Sequence, residues 1–587
     1  MTKCETYGHA DSALAEVLLK TKNHWQMIEI EMEVLRSIAH RLDEKLQHHL
    51  AQMFQILQGK LQEVVSTLDT VIGDKKQTKA VTLDQVSKKK GSINKIRFAS
   101  HSKSTLDKIL RDIDHWHSML LPYWFLLSRL QDPAVDQQLS TCEGSGSKEV
   151  WRLQELRNAI HGAEKREAGI FISENEWIEN RSPVLYTGGE TAQDSVTHAH
   201  LYIESLVPHP CTPPNLALQN VRDLGRILSV VDSRLFCILA CRGVIKLPRL
   251  SGKRESFQLV FQIPEALHGP RSLREILLHD QRYPLDELLN FAKRLARAVM
   301  FVHTTNFVHK NLRPETIIAF QDRKTPNSST HTIGVPFLVG FQNVRAAAGV
   351  TYLCEDGEWQ KNLYRHPTRQ GTLPEDTYQM QHDIYSLGVC LLELGIWQSF
   401  ITPAEPNGSC GPNSNLNIAS YLGLKLPPPK RARAIKQEFM DMATKSLPTL
   451  MGPRYTQIVT MCLGCLDPVN NDFGCEREFL DTDGILVGVR YIEKVCEIIS
   501  YTLVINNRAM KKTPNKIYTT GYSSIGGDRG IDWLFSRVAI DNSGCWETFF
   551  GGGGVYTPFP RREPLALRRP RSRTFKGLGL HTAQHAA

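Results

Sequence analysis

The chain has 587 residues, 41% hydrophobic content and a formal net charge of +9. This length predicts about three or four domain-sized units, and the composition is ordinary for a globular chain with large buried cores. From residue 505 to the end there are 13 Lys/Arg and 5 Asp/Glu, so the rest of the chain is near neutral. We therefore expect no specific nucleic-acid binding by the folded body, because such binding depends on phosphate neutralisation.

The cysteines and the apolar runs bear on the compartment. The 13 cysteines are odd in number and scattered, which predicts reduced, mostly buried thiols in an intracellular protein. Residues 1–20 contain no apolar signal-peptide region. The most apolar runs, LLPYWFLL and LGVCLLELGIW, are shorter than the roughly 20 residues of a membrane-spanning helix. We expect a soluble, cytoplasmic protein, with a nuclear location as an alternative because the tail contains RRPRSR.

Apolar residues at steps of three and four predict long helices in the first 160 residues. Trp25–Ile72 predicts one amphipathic helix, about 70 Å long if unbroken, and Leu106–Leu120 carries a second apolar stripe. These helices predict a bundle or a coiled coil, through which the chain can oligomerise. Between them, Asp74–Lys103 has nine basic and two acidic residues. We interpret it as a solvated hinge, or alternatively as a surface for anionic membranes.

The order of these segments resembles the HeLo and HeLo-like domains of fungal prion-inhibition and cell-death proteins. It runs TKNHWQMIEIEMEVLRSI, KLQHHLAQMFQILQGKL, a basic stretch and STLDKILRDIDHWHSMLLPYWFLL. The resemblance covers residues 10–160 and implies an all-α bundle over 1–160. In that family an apolar N-terminal segment inserts into membranes. No segment before Trp25 is apolar enough, so we expect a domain that is truncated at its N-terminus.

The next hundred residues predict strands around one helix. The candidate strands are GIFIS (169–173), HLYIESL (200–206), RLFCILACRGVIKL (234–247) and SFQLVFQI (256–263). A helix is predicted at Asn220–Val231, with Val221, Leu224 and Leu228 on one face. Two further helices, RSLREILL and DELLNFAKRLARAVMFVH, lead into FVHKNLRPETII. The pattern predicts a β-rich small lobe at about 165–263 and a mostly helical large lobe at about 264–503.

Four segments resemble protein-kinase motifs. FVHKNLRPETII resembles the H-R-D-L-x-x-x-N catalytic loop, with His309 in place. PFLVGFQNVR resembles the Asp-Phe-Gly segment, with Phe341 in place. LYRHPTRQG resembles the Ala-Pro-Glu segment, with Pro367 in place. MQHDIYSLGVCLLELGIW resembles the segment in which an Asp, here Asp383, opens a buried helix.

This resemblance covers residues 165–503 and implies an α+β, two-lobed protein-kinase-like fold, of the kind that follows HeLo-type bundles in fungal proteins. It also implies that four residues are scaffold: His309, Phe341, Pro367 and Asp383. The catalytic positions are degenerate. Asn311 replaces the general base, Gly340 and Thr316 replace the two magnesium ligands, and Arg313 lies in the same loop. Neither replacement is a carboxylate, the ligand that a hard dication prefers.

The nucleotide anchors are also missing from the pattern. There is no lysine from Arg166 to Ile245. Lys246, in GVIK, precedes a proline and a strand instead of a helix, so we interpret it as a surface residue. GSGSKEV (144–150) is interpreted as a linker, and no backbone donor for phosphates is predicted. No metal site or certain cofactor is expected, and ATP can bind only without magnesium-dependent catalysis.

We therefore predict a pseudokinase signalling module that is coupled to a helical effector domain and acts on protein partners. One alternative is a weakly active, atypical protein Ser/Thr kinase in which Glu315 or Asp322 binds the metal. A second alternative is a cell-death effector that associates with anionic membranes through residues 74–103. Residues 505–587 are rich in Gly, Arg and Pro and are predicted to form a mostly disordered basic tail.

Overall fold

The computed structural model describes most of residues 10–470, then Tyr491, Val495 and three strands after residue 516. Within 10–470 the ranges outside this description are 39–43, 73–102, 128–132, 142–147, 162–168, 174–176, 210–211, 248–254, 280, 306, 324–331, 344, 347–356, 372–373, 403–409, 424–425 and 469. The chain divides into two compact units, Met1–Lys512 and Thr513–Ala587. The predicted basic surface at 74–103 thus lies almost entirely outside the described residues.

In the described part of residues 10–170, five helices precede the first strand. They are α1 (Ala10–Ile38), α2 (Glu44–Ile72), α3 (Lys103–Leu127), α4 (Pro133–Thr141) and α5 (Lys148–His161). Helices α1, α2 and α3 contact one another in all three pairs. The predicted stripes are buried between them, as expected from their spacing: Ile28, Leu35, Leu50, Met53, Leu57, Leu61, Val64, Leu68, Leu106, Ile109, Leu110, Ile113 and Leu120.

The prediction of one continuous helix over Trp25–Ile72 is wrong. The structure has two helices, and α1 begins well before Trp25. Because α1 and α2 also contact each other, they cannot be halves of one straight helix. The apolar spacing is the same in both cases, so periodicity alone could not locate the break.

The helical region packs on the rest of its compact unit. Helix α5 contacts α6 (Pro214–Ser229), and α3 contacts α9 (Leu285–Thr304). Arg152 of α5 donates a hydrogen bond to the carboxylate of Asp232, which caps the next short helix. The ion pair therefore joins the N-terminal helices to the region that follows α6.

A six-stranded mixed sheet follows, in the order β1-β5-β6-β4-β3-β2. Its strands are β1 (Phe171–Ile172), β2 (Ile178–Pro183), β3 (Gly189–Asp194), β4 (His200–Leu206), β5 (Ala240–Leu247) and β6 (Ser256–Gln262). Only the β1–β5 pair is parallel among these neighbours. Helix α6 packs on β5. The approach is close at Gly225, where a Cβ atom would lie 3.0 Å from Val244 Cγ2.

Three details of the sheet differ from the prediction. Strands β2 and β3 were not predicted, and both are largely polar. The predicted strand at 234–247 begins instead as a short helix, α7 (Ser233–Phe236). Its N-cap Asp232 accepts hydrogen bonds from two backbone N–H groups, and Cys237 ends it in the left-handed conformation. The strand itself begins at Ala240 because this helix turns the chain first.

The remaining part of the unit is mostly helical. A three-stranded sheet has the order β10-β9-β7. Helix α11 is buried along its whole length and contacts α9, α13 and α14. The elements are β7 (Leu267–Ser272), α8 (Leu273–Leu277), α9, β8 (Phe307–Val308), β9 (Ile317–Asp322), β10 (Val335–Leu338), β11 (Arg345–Ala346), α10 (Trp359–Asn362), α11 (Met380–Ile396), β12 (Ile401–Thr402), β13 (Gly411–Pro412), α12 (Ile418–Gly423), α13 (Pro428–Leu450) and α14 (Pro453–Leu463).

In the second unit, three strands form an antiparallel sheet in which β15 (Ser536–Ile540) lies between β14 (Ile517–Thr520) and β16 (Trp546–Phe550). The tail was predicted to be mostly disordered, and these three strands are its described part. The other residues of 505–587 lie outside the described part of the chain. Across all described helices, none is both long enough and apolar enough to cross a membrane.

Candidate functional site

The loop that contains FVHKNLRPETII is held by the carboxylate of Asp383, near the start of α11. Its Oδ2 atom accepts a hydrogen bond from the His309 N–H at 2.7 Å, and its Oδ1 atom accepts one from the Lys310 N–H at 2.9 Å. His303 Nε2 lies 3.1 Å from Oδ2, and the Tyr378 hydroxyl donates to Oδ1 at 2.6 Å. These contacts make Asp383 a structural residue of the loop.

The charge of Asp383 is maintained despite full burial. Burial alone favours the neutral acid, but the His303 contact, the neighbouring His309 and the Tyr378 hydroxyl lower the pKa of Asp383 to about 2. The carboxylate therefore stays ionised at neutral pH and can accept both backbone N–H groups.

The His309 side chain is buried and contacts the segment 339–341. Its Nε2 atom is 3.0 Å from the carbonyl oxygen of Val339, and its ring meets Phe341 edge-on at 5.2 Å between centroids. Burial lowers the pKa of His309 to about 4. A neutral ring that donates to a carbonyl connects two segments but offers no proton at neutral pH.

The four positions predicted to be degenerate catalytic positions, Asn311, Arg313, Thr316 and Gly340, lie together. Asn311 Nδ2 is 3.5 Å from the Gly340 carbonyl oxygen, and Asn311 Oδ1 accepts a hydrogen bond from Arg313 Nε at 3.1 Å. The Thr316 hydroxyl donates to the Asn311 carbonyl at 2.8 Å. The structure thus brings all four positions into one cluster, in which the polar groups of Asn311 and Thr316 bind protein atoms.

Gly340 leaves no room for a side chain. It has φ = +87°, and a Cβ atom there would lie 2.8 Å from Thr316 Cβ, with Thr316 Cγ2 closer still. A carboxylate at position 340 would therefore need both a changed backbone and a displaced threonine.

This geometry predicts a stability loss for Gly340→Ala. Gly371 is a matched control, because its φ is +85° and a Cβ atom there would meet no atom within 4 Å. Both variants suffer the left-handed strain, but only Gly340→Ala overpacks Thr316, so it should lose about 1–3 kcal/mol more. Urea unfolding of the two variants measures the difference. Equal losses would contradict the steric argument.

A fifth residue, Glu204 of β4, was not predicted from the sequence. Its carboxylate accepts hydrogen bonds from the Gly340 N–H and, at 3.2 Å, from the Phe341 N–H. Burial raises the pKa of Glu204 to about 7, against the lowering effect of these two N–H groups. These two backbone donors were not predicted from the sequence, and the protein's own carboxylate occupies them. A signal was present: alternation in β4 puts Glu204 on the same face as Tyr202 and Leu206, and both are buried.

Glu204, Arg313, Thr316 and Gly340 line a cavity of about 10 Å³, together with Gly188, Tyr202, Ser205, Glu315 and Gln342. That volume holds about one water molecule, whereas sites for drug-sized ligands are typically about 300–1,000 Å³. The turn between β2 and β3 borders the cavity through Gly188, and the Ser272 hydroxyl holds this turn by donating to the Leu185 carbonyl at 2.8 Å. The same hydroxyl accepts from the Glu275 N–H at 3.1 Å, capping α8.

The two carboxylates considered as substitute metal ligands, Glu315 and Asp322, lie in different surroundings. Glu315 Oε1 accepts from Arg274 Nε at 3.0 Å, and its Oε2 lies 3.6 Å from Arg313 Nη1. Asp322 is exposed at the end of β9. Lys246 is also exposed and pairs with Glu255 at 3.1 Å, as its surface interpretation requires.

Two other predicted features concern structure more than chemistry. Pro367 is buried in a 3₁₀ turn that the His366 side chain caps, which agrees with a scaffold role. Cys462 and Cys465, which have Cys-x-x-Cys spacing, are buried thiols, as predicted for most of the cysteines. Within the described residues there is no group of three or more His, Cys, Asp and Glu side chains arranged to hold a metal ion.

Comparison with known proteins adds no relative. No protein-family model matches the chain, and no curated protein matches its sequence. The function must therefore be argued from the residues and their geometry.

Proposed function

We propose that this chain is a pseudokinase: a protein-kinase-like module that acts by binding protein partners, coupled to an N-terminal helical effector domain. The order of elements supports the proposal. A mixed sheet carrying one helix, α6, is followed by a mostly helical part with the buried helix α11. In that part, the motif residue His309 donates its backbone N–H to Asp383, and its ring packs edge-on against Phe341.

The chemistry that remains supports binding over phosphoryl transfer. That reaction needs a base near the substrate hydroxyl, metal ligands and a phosphate anchor. Asn311 and Thr316 offer neutral groups that already bind backbone or side-chain atoms. Gly340 cannot carry a carboxylate without displacing Thr316. Glu315 is paired with two arginines, which argues against the atypical-kinase alternative.

The observation that carries the proposal is the position of Glu204. On the kinase interpretation, β4 is the strand before the first small-lobe helix, where a lysine anchors the nucleotide phosphates. An acid stands there instead, and it is bound to the N–H groups of Gly340 and Phe341. A buried carboxylate at the phosphate position repels the anion that a kinase must hold.

ATP turnover by the full chain tests the proposal. Loss of the general base alone typically removes a factor of about 10²–10⁴, and here the metal ligands and the anchor are missing as well. We expect no magnesium-dependent phosphate transfer above background. Asn311→Ala is the control, because contaminating kinase activity would be the same in both preparations. Transfer by the wild type that Asn311→Ala abolishes would overturn the proposal.

Two further measurements address the atypical-kinase alternative. Glu315→Ala and Asp322→Ala should leave any residual turnover unchanged, since neither residue faces a metal site. A thermal-shift titration with ATP, with and without magnesium, reports binding independently of catalysis. A ligand at 100 times its dissociation constant would add about 2.7 kcal/mol of stability, and a shift that required magnesium would favour the kinase alternative.

A further inference from the structure

Two consecutive backbone N–H groups point at one buried carboxylate in this protein. Gly340 N–H and Phe341 N–H donate to different oxygen atoms of Glu204. Gly340 has positive φ, and Phe341 begins a 3₁₀ turn. Successive N–H groups in such a conformation form a concave donor surface that binds anions. The backbone of this loop therefore provides an anion site independent of any side chain.

The carboxylate that fills this site comes from a fixed position. Strand β4 is paired with β6 on one side and β3 on the other, so the Glu204 backbone is held by two ladders. A ligand attached to the same rigid chain has a high effective concentration at its site. Free anions at millimolar concentration would compete poorly with it.

The surroundings of the carboxylate contain further donors. Arg313 and Tyr202 line the same cavity, and so does Glu315, whose carboxylate lies 3.6 Å from Arg313 Nη1. Tyr202 is fully buried beside Glu204, and its hydroxyl helps to lower the pKa of that carboxylate. Two N–H groups, a guanidinium and a phenol hydroxyl together match the oxygen atoms of a tetrahedral oxyanion.

We propose that the N–H groups of Gly340 and Phe341 form an anion-binding site whose resident ligand is the protein's own Glu204, and that this site takes an oxyanion of the phosphate class once Glu204 is removed. The inference deepens the proposed function and rests on it. The protein's own Glu204 occupies the position of a nucleotide phosphate, so the observed arrangement of this site needs no nucleotide.

The test is a thermal-shift titration of the full chain with inorganic phosphate, against sodium chloride at matched ionic strength. Glu204→Ala vacates the N–H groups and enlarges the cavity, so phosphate should produce a saturable rise in Tm of at least about 2 °C. The wild type should show no phosphate-specific shift. Glu204→Asp is the control, because it keeps the negative charge and should also show none.

Two results would overturn the inference: no phosphate-specific shift for Glu204→Ala, or the same shift for the wild type. If Glu204→Ala does not fold, Glu204→Ser leaves a smaller cavity and takes its place. If neither folds alone, refolding yield is measured against phosphate concentration. Rescue by phosphate and not by chloride supports the inference, and absence of rescue overturns it. ATP turnover by the wild type would refute the proposed function, whereas the phosphate titration decides the anion site separately.

Discussion

Replacing Arg274 with alanine should destabilise the protein by about 3–5 kcal/mol, because several buried polar groups would lose their shared partner. The guanidinium donates to Glu315 at 3.0 Å and to Glu393 at 2.9 Å, and it also contacts Ser399 and Tyr364. Glu393 is fully buried. Without Arg274 the described contacts left to its carboxylate would be the Tyr364 hydroxyl at 2.8 Å and the Phe400 N–H at 2.6 Å.

Arg271, in the preceding strand β7, gives a matched control. It is about one-third exposed, and its ion pair with Glu275 spans 3.5 Å. Arg271→Ala should therefore cost at most about 1 kcal/mol. Urea unfolding of both variants at pH 7 measures the contrast. Losses of similar size would mean that the buried set contributes no more than a surface pair.

A double variant separates the lost charge pairing from the lost packing. Arg274→Met retains much of the side-chain volume, and Glu393→Gln removes the carboxylate that Arg274→Met leaves unpaired. If unpaired charge dominates the loss, the double variant should be less destabilised than the sum of the two single variants. Additive losses would assign the effect to packing.

Acidification from pH 7 to pH 5 should lower the free energy of unfolding by about 4 kcal/mol, which is the loss from three buried histidines less an opposing gain from Glu204. Burial, the first cause in each case, lowers the pKa of His309 to about 4, of His366 to about 2 and of His382 to about 3. Their ordinary pKa is 6.5, so below that pH the unfolded chain binds protons that the folded chain excludes. Each ring then contributes about 2 kcal/mol of instability at pH 5.

Glu204 opposes this trend. Its pKa is about 7 in the folded chain against an ordinary 4.5, so between these values the folded chain binds a proton that the unfolded chain releases. Its contribution to stability grows as the pH falls from 7 to 5, by about 2 kcal/mol. Glu204→Gln removes this term, so the variant should lose about 6 kcal/mol over the same interval.

Urea titrations of the wild type and Glu204→Gln at pH 7, 6 and 5 measure both slopes. A wild-type stability that stays constant or rises on acidification would show that the three rings are not held neutral. Equal slopes in the two proteins would show that Glu204 does not retain a proton at pH 6.

The helices were predictable where one face is apolar. The stripes in α2 and α3 have three- and four-residue spacing, and Leu57, Val64 and Ile113 are fully buried. Strand β4 was also predicted at its observed bounds, His200–Leu206. In both cases burial on one side leaves a period in the sequence.

The polar strands carried no such period. Strand β2 is the sheet edge, and five of its six residues are exposed, so no apolar alternation marks it. Strand β3 pairs with it through GETAQD. Missing these two strands also hid the turn at Gly188, which lines the cavity beside Glu204.

The candidate site divides in the same way. Asn311, Thr316 and Gly340 were predictable because flanking motif residues fix their positions in the chain. The lack of room for a carboxylate at position 340 was not predictable, since it depends on the distance between Gly340 and Thr316. The bond between Glu204 and the 340–341 backbone joins residues 136 positions apart, and a single sequence contains no direct record of that pairing.

The Ser272 hydroxyl has a consequence for the rate at which the cavity can open. One oxygen atom holds the turn at Leu185 and caps the helix that carries Arg274. Moving this turn away from the cavity therefore breaks a hydrogen bond to the N-cap residue of α8. Helix α8 is itself held in place by the buried ion pairs of Arg274. The amide hydrogen of Glu275 should exchange with solvent slowly and together with the core of α8, because opening is then a cooperative event and not a local fluctuation of a surface loop.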